Sequence, residues 1–402
     1  MHVPRLRALL LGAVLVFPLA AACAPTANSL HALVEQAWLR SPSARELDAR
    51  QAEVDAARDL SGSWVAGQPV LGLSQRNGRW TDQVGVRESE VSMAAPFWTP
   101  GQRSARRTLA ELSAAELQAQ LRKERLDIAG QVRTRLWDAV AAQALQEEKE
   151  GHLHHAEDLA VEVRRRTAAG ELARVDALLA NQEVLAARVD VERAKAEAHA
   201  SLSRLQLLTG PVTALPQDPE PLASGEGDNL PLLAARASET RAQAALRLAE
   251  ASRRAPPTLA LSVREERDPA LAGPERTLGL TLQVPLGTAG RNRPAETQAR
   301  TQIAVAEAQV RQAGEAAALD RELARRQLAL AHAALAAAGE RVAAMREHQQ
   351  LIEKAFRLGE RGLVDVLRSR TLAHEAQVAQ RQQEVELGRA HAQFNQAAGV
   401  LP

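Results

Sequence analysis

The chain repeats itself at an offset of 189 residues, and the positions that recur are those that shape a backbone. Pro42 returns as Pro231, Pro96 as Pro285 and Gly101 as Gly290. Gly170-Glu171 returns as Gly359-Glu360, Val175-Asp176 as Val364-Asp365, Leu178 as Leu367 and Gly210 as Gly399. No insertion or deletion separates the first pair from the last. A duplication this regular makes each half one structural unit, so one fold has to account for both. The halves are taken as residues 28–210 and 230–400, joined by a linker at 211–229.

Residues 101–210 and 295–401 contain no proline. Proline inside a helix costs about 3 kcal/mol, so these stretches leave room for very long helices. Alanine, leucine, glutamate, glutamine and arginine dominate, aromatics are only 2% and tyrosine is absent, a mix of strong helix formers. Helices are expected over about 101–168 and 172–208, and again over about 291–357 and 363–398. A helix over 101–168 is a rod on the order of 100 Å long, which needs neighbours along its whole length. After each break an apolar stripe follows steps of three and four: Val175, Leu178, Gln182, Leu185 and Val189, then Val364, Leu367, Thr371, His374 and Val378. This predicts the seam of a helical hairpin. Alanine-rich surfaces remove little apolar area per residue, so such hairpins call for a tube of many helices or an oligomer. A soluble four-helix or coiled-coil protein would share the pattern.

Between the helices the period changes to two. Leu278, Leu280, Leu282, Val284 and Leu286 alternate with small or polar residues, and so do Leu259, Leu261 and Val263. Strands are expected over about 257–267 and 276–286, and more faintly over about 69–76 and 86–97, with Asn77-Gly78 opening a turn. Each is long enough to cross a membrane when tilted. Four strands are too few to close a barrel, and an open sheet in lipid leaves edge groups unsatisfied. Strands in a membrane would therefore require several chains to share one barrel.

Residues 1–22 read as a signal peptide: Arg5 and Arg7, the apolar run Ala8 to Ala22, and small residues at a cleavage point. Cys23 is the only cysteine, which excludes an intramolecular disulfide or thiolate cluster. Its place directly after the small residues makes it a candidate for lipidation, with ordinary cleavage nearby as the alternative. No later segment offers an uninterrupted apolar run of transmembrane-helix length. Fifty basic and 49 acidic residues nearly cancel, which argues against a nucleic-acid partner.

Several segments resemble the TolC-like outer-membrane efflux channels. They are the duplicated Ala169-Gly170-Glu171-Leu172 with Val175-Asp176-Ala177-Leu178-Leu179, and Leu358-Gly359-Glu360-Arg361-Gly362-Leu363-Val364-Asp365-Val366-Leu367. The strand-to-helix passages Pro96 to Arg103 and Pro285 to Arg291, and the endings Leu208-Thr209-Gly210 and Ala397-Ala398-Gly399, belong to the same likeness. It spans about residues 28–400, and the short C-terminus and strand ends resemble the branch serving heavy-metal cation exporters. The resemblance implies a mostly α fold with a small transmembrane β part, built as a homotrimer. Each chain would give four strands to a shared twelve-stranded barrel in outer-membrane lipid and its helices to a periplasmic tunnel. It implies a passive exit duct in a Gram-negative bacterium, docked on a periplasmic adaptor and an inner-membrane pump, with no cofactor and no enzyme activity. Drugs or other small organic molecules are an alternative cargo, and a non-conducting exported coiled-coil interaction protein is an alternative class.

The same resemblance implies the sites. Gly170, Leu172, Gly359, Gly362 and Leu363 would form the tips that meet the adaptor. Asp176 and Asp365 would line the narrow periplasmic mouth, where carboxylates favour cations, and Arg361 and Arg368 could hold that mouth shut. The plainer role for either aspartate is to cap or solvate its helix start. His152, His154 and His155 suggest a metal, but without a third fixed ligand they read as a solvated helix face. Membrane barrels usually carry aromatic girdles; here only Trp64, Trp80, Phe97 and Trp98 flank the first hairpin and residues 257–286 have none.

Overall fold

Serines start the first two helices: Ser29 caps α1 (Leu30–Arg40), and Ser41 caps α2 (Pro42–Gly62), which also has proline in its first turn. The computed structural model describes residues 29–77, 87–171, 173–223, 228–267, 273–358 and 360–402. After α2 come β1 (Val70–Asn77), β2 (Arg87–Pro96), α3 (Gln102–Ala168) and α4 (Arg174–Thr209). The second half runs α5 (Leu230–Ala251), β3 (Thr258–Arg267), β4 (Glu275–Gln283), α6 (Ala289–Arg357) and α7 (Leu363–Ala397). Apart from α1, every element has its repeat partner 189 residues away to within a few residues. Asn229 caps α5 as Ser41 caps α2, again with proline in the first turn. Cys23, Leu172, Gly359, Trp80 and the turn begun at Gly78 lie outside the described residues, as does the side chain of Leu363.

The four strands form one antiparallel sheet in chain order. β2 pairs with β3 from Arg87↔Arg267 to Pro96↔Thr258, so the two halves join through their strands. β1 and β4 are the edges, with no further partner among the described residues. Register sorts the side chains by face. Leu71, Leu73, Val91, Met93, Leu259, Leu261, Val263, Leu278, Leu280 and Leu282 share one side, all exposed in the single chain. Gly72, Ser74, Ser92, Ser262, Thr277, Gly279 and Thr281 share the other. β4 stops at Gln283 rather than reaching Leu286, because Pro285 has no N–H to give a ladder. α6 begins at Ala289, ahead of Pro294, which sits inside the helix near its start.

The main core lies where α1, α3, α4 and α7 meet, away from the sheet and the tips. Leu33, Val34 and Ala37 pack on Ile128, Val132, Leu136 and Trp137, with Leu205 and Val385 completing the cluster. Trp137 can pack this closely on α7 because residue 388 is glycine; a Cβ there would stand 1.9 Å from its ring. Beside the core, the fully paired Arg133 ties down the linker and the C-terminus. Its guanidinium donates to Glu220 at 2.9 and 2.8 Å, to Gln396 Oε1 at 2.7 Å and to the Val400 carbonyl at 3.1 Å.

The hairpin seams differ from the expected stripe. α3 packs along α4, and α6 along α7, but α4 buries Val184, Ala187, Val191 and Ala194, and α7 buries Val366, Ser369, Ala373 and Ala376. Val175, Leu178, Leu185 and Val189 are exposed. Both rows have helical spacing, and the small-residue row wins the hairpin because it lets the two helices approach closely. A further departure concerns α6. By length and composition it contains a window apolar enough to cross a membrane, where none was expected. Alanine produces that apolarity, and the helix carries many exposed residues, as suits a surface awaiting neighbours.

Candidate functional site

Each helical hairpin turns within a few residues. At the first tip the Gly170 N–H donates to Thr167 O and the Glu171 N–H to Arg166 O, with Gly170 at φ 80°. This is the Schellman arrangement, which closes a helix at the residue that tolerates a left-handed backbone. At the second tip the Glu360 N–H donates to Ala355 O, the matching bond one repeat later. Gly362 precedes α7 at φ −84°, a backbone open to any residue. Gly170 and Gly362 both leave open space where a Cβ would be.

The two aspartates behave differently. Asp176 accepts a hydrogen bond from the Ala173 N–H at 3.1 Å, capping its own helix. Asp365 stands 3.9 Å from Arg361, both partly exposed. Arg368 is exposed and makes no ion pair with a described residue. The tip-proximal ion pair that sequence reasoning missed is Arg370 with Glu353, which links α7 to α6 at 2.9 Å. Gln349 and then Arg370 hold the Glu353 carboxyl below its ordinary range. Arg188 and Glu157 tie α4 to α3 in the other hairpin at 2.9 Å. No periodicity marks these pairs, so only the packed helices reveal them.

At the other end of the molecule the aromatic residues gather where strands meet helices. Trp64 meets Phe97 edge-on at 6.2 Å, Trp98 donates to Ser63 O at 2.9 Å, and Arg106 lies over the Trp98 ring. Towards the hairpin turns the sheet becomes charged, and Glu88 lies buried between Arg76 at 3.4 Å and Arg264 at 2.6 Å. An apolar sheet face, aromatics at its base and a charged far end follow the layering of a membrane-spanning sheet.

This architecture has solved counterparts. The outer membrane protein VceC of Vibrio cholerae matches with a TM-score of 0.72 at 17% identity, over 92% of this chain and 96% of that one. The Campylobacter jejuni CmeC outer membrane channel matches at 0.71 and 12% identity, over 92% and 85%. The chain has the TolC-like outer-membrane channel fold. CusC, a protein of transmembrane channel formation, shares the TolC-like fold at a TM-score of 0.70 and 15% identity, over 92% of both chains. No family model matches the sequence. The cobalt-zinc-cadmium resistance protein CzcC of Cupriavidus metallidurans is 29% identical over 258 residues, 61% of this chain. The match spans 59% of that relative's length.

The histidines look different once this TolC-like fold packs α7 against α3. His154 is exposed, 3.7 Å from Asp158, as a solvated face requires. His152 and His155 instead face His374 of α7.

Proposed function

We propose that the chain is the outer-membrane component of a tripartite export system, a passive duct in a Gram-negative bacterium. An inner-membrane pump and a periplasmic adaptor would deliver its cargo. The observation that carries this reading is the channel fold combined with a sheet open at both edges. Open edges in lipid are prohibitive, and three copies would close twelve strands into one barrel. The Leu and Val face would then meet lipid, and the Ser, Thr and Gly face would line the lumen.

The duplication supports the same assembly. In the chain, His374 of the α7 stripe meets His155 of α3. The corresponding stripe on α4, with Val175, Leu178, Leu185 and Val189, has no cover. α6, the repeat partner of α3, exposes Val305, Leu319, Leu323 and Leu330. Carrying the repeat relation across the chain boundary seats α4 of one copy on α6 of the next. We expect the double substitution Leu178→Glu and Leu185→Glu to convert detergent-solubilised trimers to monomers with helix content intact. Native electrophoresis with circular dichroism reads this, and an unaltered trimer would remove the α4 interface.

The tips at Gly170, Leu172, Gly359, Gly362 and Leu363 would meet the adaptor, and an acylated Cys23 would add a lipid anchor. Divalent metal cations are the favoured cargo, on the likeness to CzcC. Asp365 would supply a carboxylate ring at the mouth, with Arg361 beside it as a partner that opening must release; this reading assigns the chain no catalytic step. In planar bilayers the trimer is expected to conduct, and Asp365→Ala to reduce cation preference. Stable trimers that never conduct would sink the duct, whereas conduction with unchanged selectivity would remove only the mouth assignment.

A further inference from the structure

Three imidazoles meet in the seam between α3 and α7. His374 has its ring centroid 5.4 Å from that of His155 and 6.4 Å from that of His152. His152 and His155 are three apart on α3 and so share one face. The Nε2 of His374 is shut off from solvent and has no hydrogen-bond partner, and a buried polar atom left unpaired is costly.

The duplication shows that the fold does not ask for this cluster. The repeat counterparts of His152, His155 and His374 are Arg341, Ala344 and Leu185. A leucine stands at the equivalent place on α4, exposed in the chain, so the repeat itself does not require a histidine at 374. We propose that His152, His155 and His374 bind one divalent transition-metal cation per chain, of the imidazole-preferring class that includes zinc, cobalt, nickel and copper. The bound cation staples α7 to α3.

Metal–nitrogen bonds of about 2.0–2.1 Å place two imidazoles on one tetrahedral ion with centroids roughly 5 Å apart. The rings are near that spacing but do not yet converge, and no three ligand groups stand at coordinating distance among the described residues. Binding requires the partly exposed His152 and the exposed His155 to turn towards His374. Glu183 of α4, 3.5 Å from His152 Nε2, is placed to orient that ring from behind.

The test uses the full-length protein in detergent, stripped of metal and titrated with Co²⁺, whose visible spectrum reports its ligands. One cobalt per chain, displaced by Zn²⁺, is expected. His155→Ala, at an exposed position, and His374→Leu, which copies the counterpart at 185, should each weaken binding by about tenfold or more, since even outer-shell partners of a metal contribute 10–100-fold. His154→Ala should change nothing. No saturable cobalt binding, or binding unaffected in both His155→Ala and His374→Leu, overturns the site. Because the readout is binding, its failure is separate from any failure of the duct to conduct.

Discussion

Replacing Glu220 with alanine should destabilise the chain by about 3–5 kcal/mol, the cost of leaving a buried charge without its partner. Arg133 is 2% exposed and takes both oxygens of Glu220 in a forked arrangement. Glu220 also accepts from Asn395 Nδ2 at 3.1 Å, so its loss strands donors on two helices. Gln396 and Val400 cannot neutralise the guanidinium that remains. Arg133→Met paired with Glu220→Leu should recover most of the loss, since an apolar pair of similar volume does not carry the desolvation cost. Denaturant unfolding of the detergent-solubilised protein measures both. A Glu220→Ala variant as stable as the parent would mean that this network does not hold the linker and the C-terminus.

Gly388→Ala should cost about 1–3 kcal/mol, although alanine is the better helix former. The added methyl would come within 1.9 Å of the Trp137 ring, which is only 3% exposed and closed in by the central cluster. Either the indole leaves its place or α7 shifts from α3. Trimming the ring in the same chain, as Trp137→Leu, should make the second change less harmful than the first alone. That non-additivity marks direct contact. Additive losses would show that residue 388 acts through helix propensity.

What the sequence made legible was local. Period-two alternation at Leu278, Leu280 and Leu282 is visible because a sheet face repeats every second residue, and β4 forms there. The glycine at 170 is visible because one backbone angle requires it. The seam was misread for a physical reason: Val175, Leu178, Gln182 and Leu185 step by three and four just as Val184, Ala187, Val191 and Ala194 do. Helical periodicity says that a row will be covered without saying by which helix. His374 and Glu220 were invisible as site members because their partners lie far along the chain. Only the docking of α7 on α3, and of the linker over α3, brings them together.

The open edges of the sheet have a genetic consequence. If a working barrel needs three chains, one defective strand spoils the contribution of two sound ones. In a cell making normal and defective copies equally, about one assembly in eight would be free of the defect under random mixing of a cyclic trimer. Lesions in β1 or β4 that still permit assembly should therefore be dominant, whereas lesions that unfold the chain before it meets a partner should be recessive.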